Sequence, residues 1–240
     1  MSEVHIHKNP AELSQALAEW ITADIEKVLK EGNRFTFVMT GGSSPKQLYG
    51  LLSQPPFRER IAWEKLHIFW GDERAVPFTD DRNNAKMTFE ALLSHVPIPE
   101  DQIHVMRTEL EPAKAAAAYE TILHTYFGEE GASFDLVLNG MGEDGHTLSL
   151  FPGQPVIHET QAWVYSYFLE AQKMDRITMT VPIVNRASKV AFLTFGPGKA
   201  HALNEVLNGP RNPDLYPSQI IQPTSGELHW FVDEAAASEL

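Results

Sequence analysis

Phe134-Asp135-Leu136-Val137-Leu138-Asn139-Gly140-Met141-Gly142-Glu143-Asp144-Gly145-His146 joins two unlike halves. The first five residues form a short apolar run and read as a buried strand. The rest is a turn. Three glycines within six residues let the backbone bend tightly and approach a ligand, and Asp144 and His146 stand two positions apart in it. Histidine is the side chain suited to taking and returning a proton near neutral pH. A strand that delivers an Asp and a His into a flexible loop predicts an active-site edge. Gly140 to Gly145 also fit the pattern G-x-G-x-x-G, but a dinucleotide site of that kind opens straight into a helix that holds a pyrophosphate. Glu143 and Asp144 would repel a pyrophosphate, and Pro152-Gly153 breaks the chain soon afterwards. A plain glycine-rich turn with an incidental histidine is the other reading of this segment alone.

Working outward, helix and strand patterns alternate. Residues 10–30 place Leu13, Leu17, Trp20, Ile21, Ile25 and Val28 on one helical face, and Gly32 ends the helix. Residues 35–39 are apolar throughout, as strands of parallel sheets are. Pro45 opens a second helix at its favoured first position. A strand over 66–70, a helix over 85–93 stopped by Pro97, a short strand near 103–105 and a helix from 112 to about 127 follow. Beyond residue 138, strands are predicted at 163–165, 177–180, 190–195 and 229–232, with a helix over 199–207. This alternation builds an open, mostly parallel sheet with helices on both faces. No linker, charge run or repeat divides residues 1–240, which read as a single α/β domain.

The net charge of −13 argues against nucleic acid and anionic membranes as partners, since basic surface holds both. No apolar run approaches the roughly 18 residues of a membrane span. The start of the chain shows no basic and apolar signal segment, and the absence of cysteine suits a reducing compartment. A cytoplasmic protein is the expectation. An acidic protein that binds an anion must gather cations and N–H donors locally.

Ligands of such sheets bind beyond the carboxyl ends of the strands, where four segments stand out. Gly41-Gly42-Ser43-Ser44 offers free N–H groups, two hydroxyls and a following helix start, all suited to an anion; a simple serine helix cap is the alternative. Asp72-Glu73-Arg74 places three ionisable groups at one strand end, although a surface ion pair would account for two of them. The Asp144/His146 turn is the third. Gly196-Pro197-Gly198-Lys199 is the fourth, with a lysine opposing a helix dipole and so needing a reason such as a phosphate. Arg176, entering the 177–180 strand, is a fifth candidate. No His-Glu-x-x-His pair suggests zinc, and no G-x-S-x-G elbow suggests a serine nucleophile. His5 and His7 read as an edge strand near the terminus.

Taken together, 41–45, 71–77 with Asn84, 140–153, 176–180, 196–200 and 216–218 resemble the 6-phosphogluconolactonase family, the lactonase branch of the glucosamine/galactosamine-6-phosphate isomerase superfamily. The stretch 145–153 carries the resemblance most specifically. The related deaminases usually have Tyr at the position of Arg74 and Asn-Glu-Pro where this chain has Ser149-Leu150-Phe151-Pro152. Ser44, Asn83 and Asn139 depart from the usual Thr, Ser and apolar residue.

The resemblance implies a three-layer α/β/α, modified Rossmann-like fold shared with the deaminases, and no metal or organic cofactor. It implies hydrolysis of 6-phosphoglucono-1,5-lactone in the oxidative pentose phosphate pathway, by a monomer or weak homodimer. On this reading Gly41, Gly42, Ser43, Ser44, Arg176 and Lys199 hold the phosphate. His146 acts as general base, Asp144 orients it or stabilises its charged form, Arg74 stabilises the oxyanion or steers the ring, and Asp72 contacts sugar hydroxyls or holds Arg74. A deaminase, or a sugar-phosphate-binding regulator without chemistry, are the competing readings.

Overall fold

Strands that are apolar on both faces must be covered on both faces, and the chain does this with two separate cores. The computed structural model describes residues 2–240. Nine strands are present among them: β1 (Ser2–His7), β2 (Phe35–Met39), β3 (Leu66–Trp70), β4 (Asp72–Arg74), β5 (Leu136–Gly140), β6 (Val164–Leu169), β7 (Met174–Met179), β8 (Lys189–Thr194) and β9 (Glu227–Asp233). The helices are α1 (Pro10–Val28), α2 (Lys46–Leu52), α3 (Phe57–Arg60), α4 (Asn84–Ala91), α5 (Pro112–Tyr126), α6 (Val181–Val184) and α7 (Ala200–Leu207). Six strands form one parallel sheet in the order β1-β9-β8-β5-β2-β3. Successive residues of each strand face opposite ways. Phe37, Leu138, Leu193 and Phe231 therefore pack with Leu17 and Ile21 of α1 and Leu48 of α2. Val38, Val137, Phe192 and Trp230 pack on the other face with Tyr119 and Leu123 of α5 and Leu203 of α7. The sheet lies between two helical layers, as the sequence predicts. No helix among the described residues is long and apolar enough to cross a membrane.

Three expectations need correction. The strands near 163–165 and 177–180 do not extend the parallel sheet; they are β6 and β7 of a separate antiparallel sheet of order β4-β7-β6. A bond from Met179 N–H to Gly71 O (2.8 Å) ties it to the end of β3. Residues 103–105 make only a one-residue bridge, Ile68 to Ile103, because the Gln102 side chain donates to Leu66 O (2.9 Å) and takes an acceptor on that sheet edge. Lys199 ends a 3-10 turn, and α7 begins one residue later. The predicted edge strand of His5 and His7 is β1, at the margin of the sheet.

Two buried tyrosines hold the strand ends from which the site is built. Tyr49 of α2 donates its hydroxyl to Thr40 O (2.8 Å) and accepts from Thr40 N–H (3.0 Å), just past β2. Tyr119 of α5, from the opposite layer, does the same for Trp70 at the end of β3, at 3.2 and 2.9 Å. Thr40 and Trp70 are both buried at their strand ends, so their backbone groups have no water to turn to and each phenol satisfies two of them at once. Tyr49→Phe should lower unfolding stability by about 1–3 kcal/mol, the cost of stranding a buried backbone group. Urea unfolding of the two proteins measures it.

A third buried side chain starts α4. The Glu73 carboxylate accepts from the backbone N–H groups of Arg74 (2.8 Å), Asn84 (2.7 Å) and Ala85 (2.9 Å), so a strand residue caps a helix eleven positions on. Burial pushes its pKa up to about 7 from an ordinary 4.5, against the pull of the three N–H donors. A raised carboxyl pKa means that the folded state holds the proton more tightly. Its contribution is therefore full below pH 4.5 and is lost as pH rises through about 7. Unfolding free energy should fall across that window by up to roughly 3 kcal/mol. Glu73→Gln should flatten the slope while lowering stability overall, since an amide cannot accept from both sides; denaturant curves at pH 5 and 8 decide it.

Candidate active site

The carboxyl ends of β2, β3, β5 and β8 open into one crevice. Gly41, Gly42, Ser43, Ser44, Asp72, Arg74, His146, Arg176 and Lys199 all line it. Asp144 stands behind His146 and is the one sequence-predicted residue outside the lining. Five segments far apart in the chain thus converge on one rim.

The imidazole of His146 is fixed from two sides. Its Nδ1 lies 2.5 Å from Asp144 Oδ1, which also accepts the His146 backbone N–H at 3.1 Å. Its ring stacks on Phe151 at a centroid distance of 4.0 Å and an interplanar angle of 19°. Burial pushes the Asp144 carboxyl up, but its bonds to His146 outweigh that and hold it below the ordinary value. A carboxylate acceptor at Nδ1 selects the tautomer with its proton there. Nε2 then keeps its lone pair, and no partner occupies it among the described residues. Gly142 makes this approach possible: a Cβ there would lie 2.0 Å from His146 Nδ1 and 2.4 Å from Asp144 Oδ1.

The loop after β2 is not the serine cap that its sequence also allowed. Pro45 takes the cap position of α2, and no side chain caps that helix, so the hydroxyls of Ser43 and Ser44 are not spent on it. Gly42 has φ +85°, a left-handed conformation that favours glycine. Gly41 is constrained differently, since a Cβ on it would lie 1.9 Å from Asn84 Oδ1. Across the crevice, burial pulls the Lys199 ammonium below its ordinary pKa while Glu143 and Asp144 push the other way.

Asp72 lines the crevice but does not hold Arg74: Oδ2 accepts from Arg176 Nη2 at 2.8 Å and from Ser149 Oγ at 2.5 Å. The cause is register. Asp72 pairs with Thr178 and Arg74 with Arg176 across β4 and β7, which puts these four side chains on one face and the carboxylate between two guanidiniums. Arg176 takes it, and Ser149 completes the triangle by accepting from Arg176 Nε at 2.8 Å. Arg74 instead donates from Nη1 to Arg82 O at 2.8 Å, and its buried Nε has no partner. Burial lowers its pKa, the Asp72 charge raises it and the Arg176 charge lowers it again, for a net fall.

Two residues of the site were not assigned from sequence. Ser149 lies in the stretch that carries the family resemblance, but its bond to a residue 77 positions away had no local sign. Asn84 is buried, gives Nδ2 to Asp72 O at 2.9 Å and leaves its Oδ1 unpaired beside the loop after β2. Its place downstream of the Asp-Glu-Arg motif was the available signal.

Comparison with known proteins identifies the family. The family model described as glucosamine-6-phosphate isomerases/6-phosphogluconolactonase matches residues 8–230. A 6-phosphogluconolactonase of Synechocystis sp. is 40% identical over 224 residues, which cover 92% of this chain and 90% of the relative. Among solved structures, one described as devB protein superposes with a TM-score of 0.91 at 30% identity, covering 100% of both chains. The Trypanosoma brucei 6-phosphogluconolactonase superposes with a TM-score of 0.87 at 28% identity, covering 100% of this chain and 99% of that one. With the match running through nearly its whole length, the chain belongs to the glucosamine-6-phosphate isomerase/6-phosphogluconolactonase family.

Proposed function

We propose that this protein hydrolyses 6-phosphoglucono-1,5-lactone to 6-phosphogluconate in the oxidative pentose phosphate pathway, in the cytoplasm and as one unit over residues 1–240. The observation that carries this reading is the pairing, in one crevice, of a carboxylate-fixed imidazole with a hydroxyl- and lysine-lined anion cradle. The lactone has a matching polarity, with a phosphate at one end and an electrophilic carbonyl at the other.

In this mechanism the phosphate sits among the N–H groups of Gly41 and Gly42, the hydroxyls of Ser43 and Ser44, and the Lys199 ammonium, with Arg176 adding positive charge from below. Anchoring the phosphate fixes where the ring carbonyl lies. His146 Nε2 takes a proton from water as the water oxygen bonds to that carbonyl carbon. Asp144 stabilises the imidazolium that results. The tetrahedral intermediate then collapses, its bond to the ring oxygen breaks, and the imidazolium returns the proton to that oxygen. Arg74 donates to the carbonyl oxygen as negative charge develops there. Asp72 acts through others, as a positioning residue that holds Arg176 and Ser149. The cycle uses these side chains and water, and neither a metal nor an organic cofactor enters it.

His146→Ala should lose about 10²–10⁴-fold in kcat, the range of general acid–base catalysis, with KM nearly unchanged. Rates corrected for spontaneous hydrolysis measure it, and near-normal turnover by the variant would remove His146 from the reaction. Lys199→Ala should instead raise KM with a smaller effect on kcat, as loss of an anchor shared by ground and transition states does. An unaltered KM would take Lys199 out of the cradle. Ammonia release from glucosamine 6-phosphate is the parallel assay, expected to be negative.

A further inference from the structure

Away from the crevice, at the free margin of the parallel sheet, histidines of two neighbouring strands face each other. Glu3 and His5 of β1 and His229 of β9 bring one ligand atom each to within 4.8 Å of one another, the only such group of three found among the described residues. The register makes the cluster. Glu3 pairs with His229 and His5 with Phe231 in the parallel ladder, so alternate residues of both strands project on the same face. His5 Nε2 lies 3.1 Å from His229 Nδ1 and 3.8 Å from Glu3 Oε1, and His229 Nδ1 lies 3.6 Å from Glu3 Oε2. These separations are close to the edge of a zinc tetrahedron, about 3.4 Å for bonds of roughly 2.0–2.1 Å.

The surroundings fit as well. His229 gives its other nitrogen, Nε2, to Glu227 Oε2 at 3.1 Å. That is the carboxylate–imidazole arrangement that orients a metal-bound histidine and raises its basicity. The His5 ring stacks on Phe231 at 4.4 Å, and the His229 ring packs against Trp20 of α1 at 4.9 Å. Both imidazoles are therefore set in place by the fold, while the exposed Glu3 carboxylate can close over an ion. Two imidazoles and a carboxylate are a donor set for a zinc-class divalent ion, not for magnesium or calcium.

We propose that Glu3, His5 and His229 bind a zinc ion, with water in the fourth position, and that the ion clamps edge strand β1 onto β9. Glu3 and His229 sit in the amino-terminal halves of their strands and His5 just past the middle of β1, whereas the crevice opens at the carboxyl ends of β2, β3, β5 and β8. The proposed role is structural and independent of the lactonase reading. An edge strand is the part of a sheet with one neighbour only, and an ion bound by both strands adds a second tie to that neighbour.

The test uses untagged protein stripped with a chelator and titrated with zinc sulfate by calorimetry. The expected result is one zinc per chain, with zinc raising the thermal unfolding midpoint of the wild type. Cobalt(II) in its place should give the intense visible bands of a tetrahedral site. His5→Ala should abolish both the binding and the thermal shift, and Glu227→Gln should weaken binding about 10–100-fold, as loss of an outer partner does. Circular dichroism verifies that both variants are folded, and lactone hydrolysis should be unchanged in each. No saturable zinc binding by the wild type, or binding that survives His5→Ala intact, would overturn the proposal. In that case the two rings form only a hydrogen-bonded pair.

Discussion

The ion pair between Asp72 and Arg176 holds the rest of the site together. Both side chains are almost wholly removed from water, so each charge has lost hydration worth several kcal/mol, and attraction offsets this only where further bonds complete the geometry. The structure supplies those bonds. Ser149 bridges the pair by giving to the carboxylate and accepting from the guanidinium, Gln172 accepts from Arg176 Nη1 at 3.3 Å, and Asn84 approaches Asp72 Oδ1 at 3.4 Å. Asp72 lies on β4, directly after β3 of the parallel sheet, Arg176 lies on β7 of the same small sheet as β4, and Ser149 lies in the loop after β5. One charge pair with its serine therefore joins the small sheet, where it leaves the end of β3, to the loop after β5 in a single rim.

This arrangement also bears on how a chain of net charge −13 receives a dianion. Salt screens charges separated by more than about 8–10 Å, so the distant carboxylates weigh little against groups in the crevice. Within it, two of the three cations already face carboxylates. Arg176 faces Asp72, and Lys199 feels Glu143 and Asp144. Partial neutralisation keeps the empty crevice from carrying a dense, self-repelling positive charge, while the donors of Arg74 and Lys199 still face inward. Arg74 is the least balanced of the three, with Nε buried and unpaired. In the proposed mechanism its guanidinium is in place before the charge it meets develops, the property by which electrostatic catalysis works.

The parallel sheet was legible because its signal is local. Runs such as residues 35–39 and 134–138 are apolar on both faces and separated by helical periodicity, and the structure keeps them nearly as read. The crevice was legible because glycines, hydroxyls and charges at strand ends are unusual wherever the ends lie. The antiparallel sheet was not, since β4 has three residues, all of them ionisable, and its partner β7 is about a hundred positions away. No window of sequence contains that pairing. The partner of Asp72 was hidden for the same reason: Arg74 is two residues away in sequence, but register gives the carboxylate to Arg176. The His5–His229 contact, 224 positions apart, could be seen from sequence only as a strand pattern at the terminus.

Glycine shows most clearly how a correct sequence signal can carry an incomplete reason. The glycines of residues 140–145 suggest a backbone free to bend and to offer N–H groups. That holds for Gly145, with φ +75°. Gly142 has an ordinary φ, and what it supplies is room: the space a methyl group would fill is occupied by the Asp144 carboxylate and the His146 ring. Gly41 does the same for Asn84. The imidazole proposed as the general base is therefore carried on a loop yet held between an aromatic face, a carboxylate and the bare backbone of Gly142. A side chain so confined loses little freedom when substrate binds, and a general base acts only if its lone pair is aimed before the water arrives. Rigidity of this kind comes from removing atoms as much as from adding contacts.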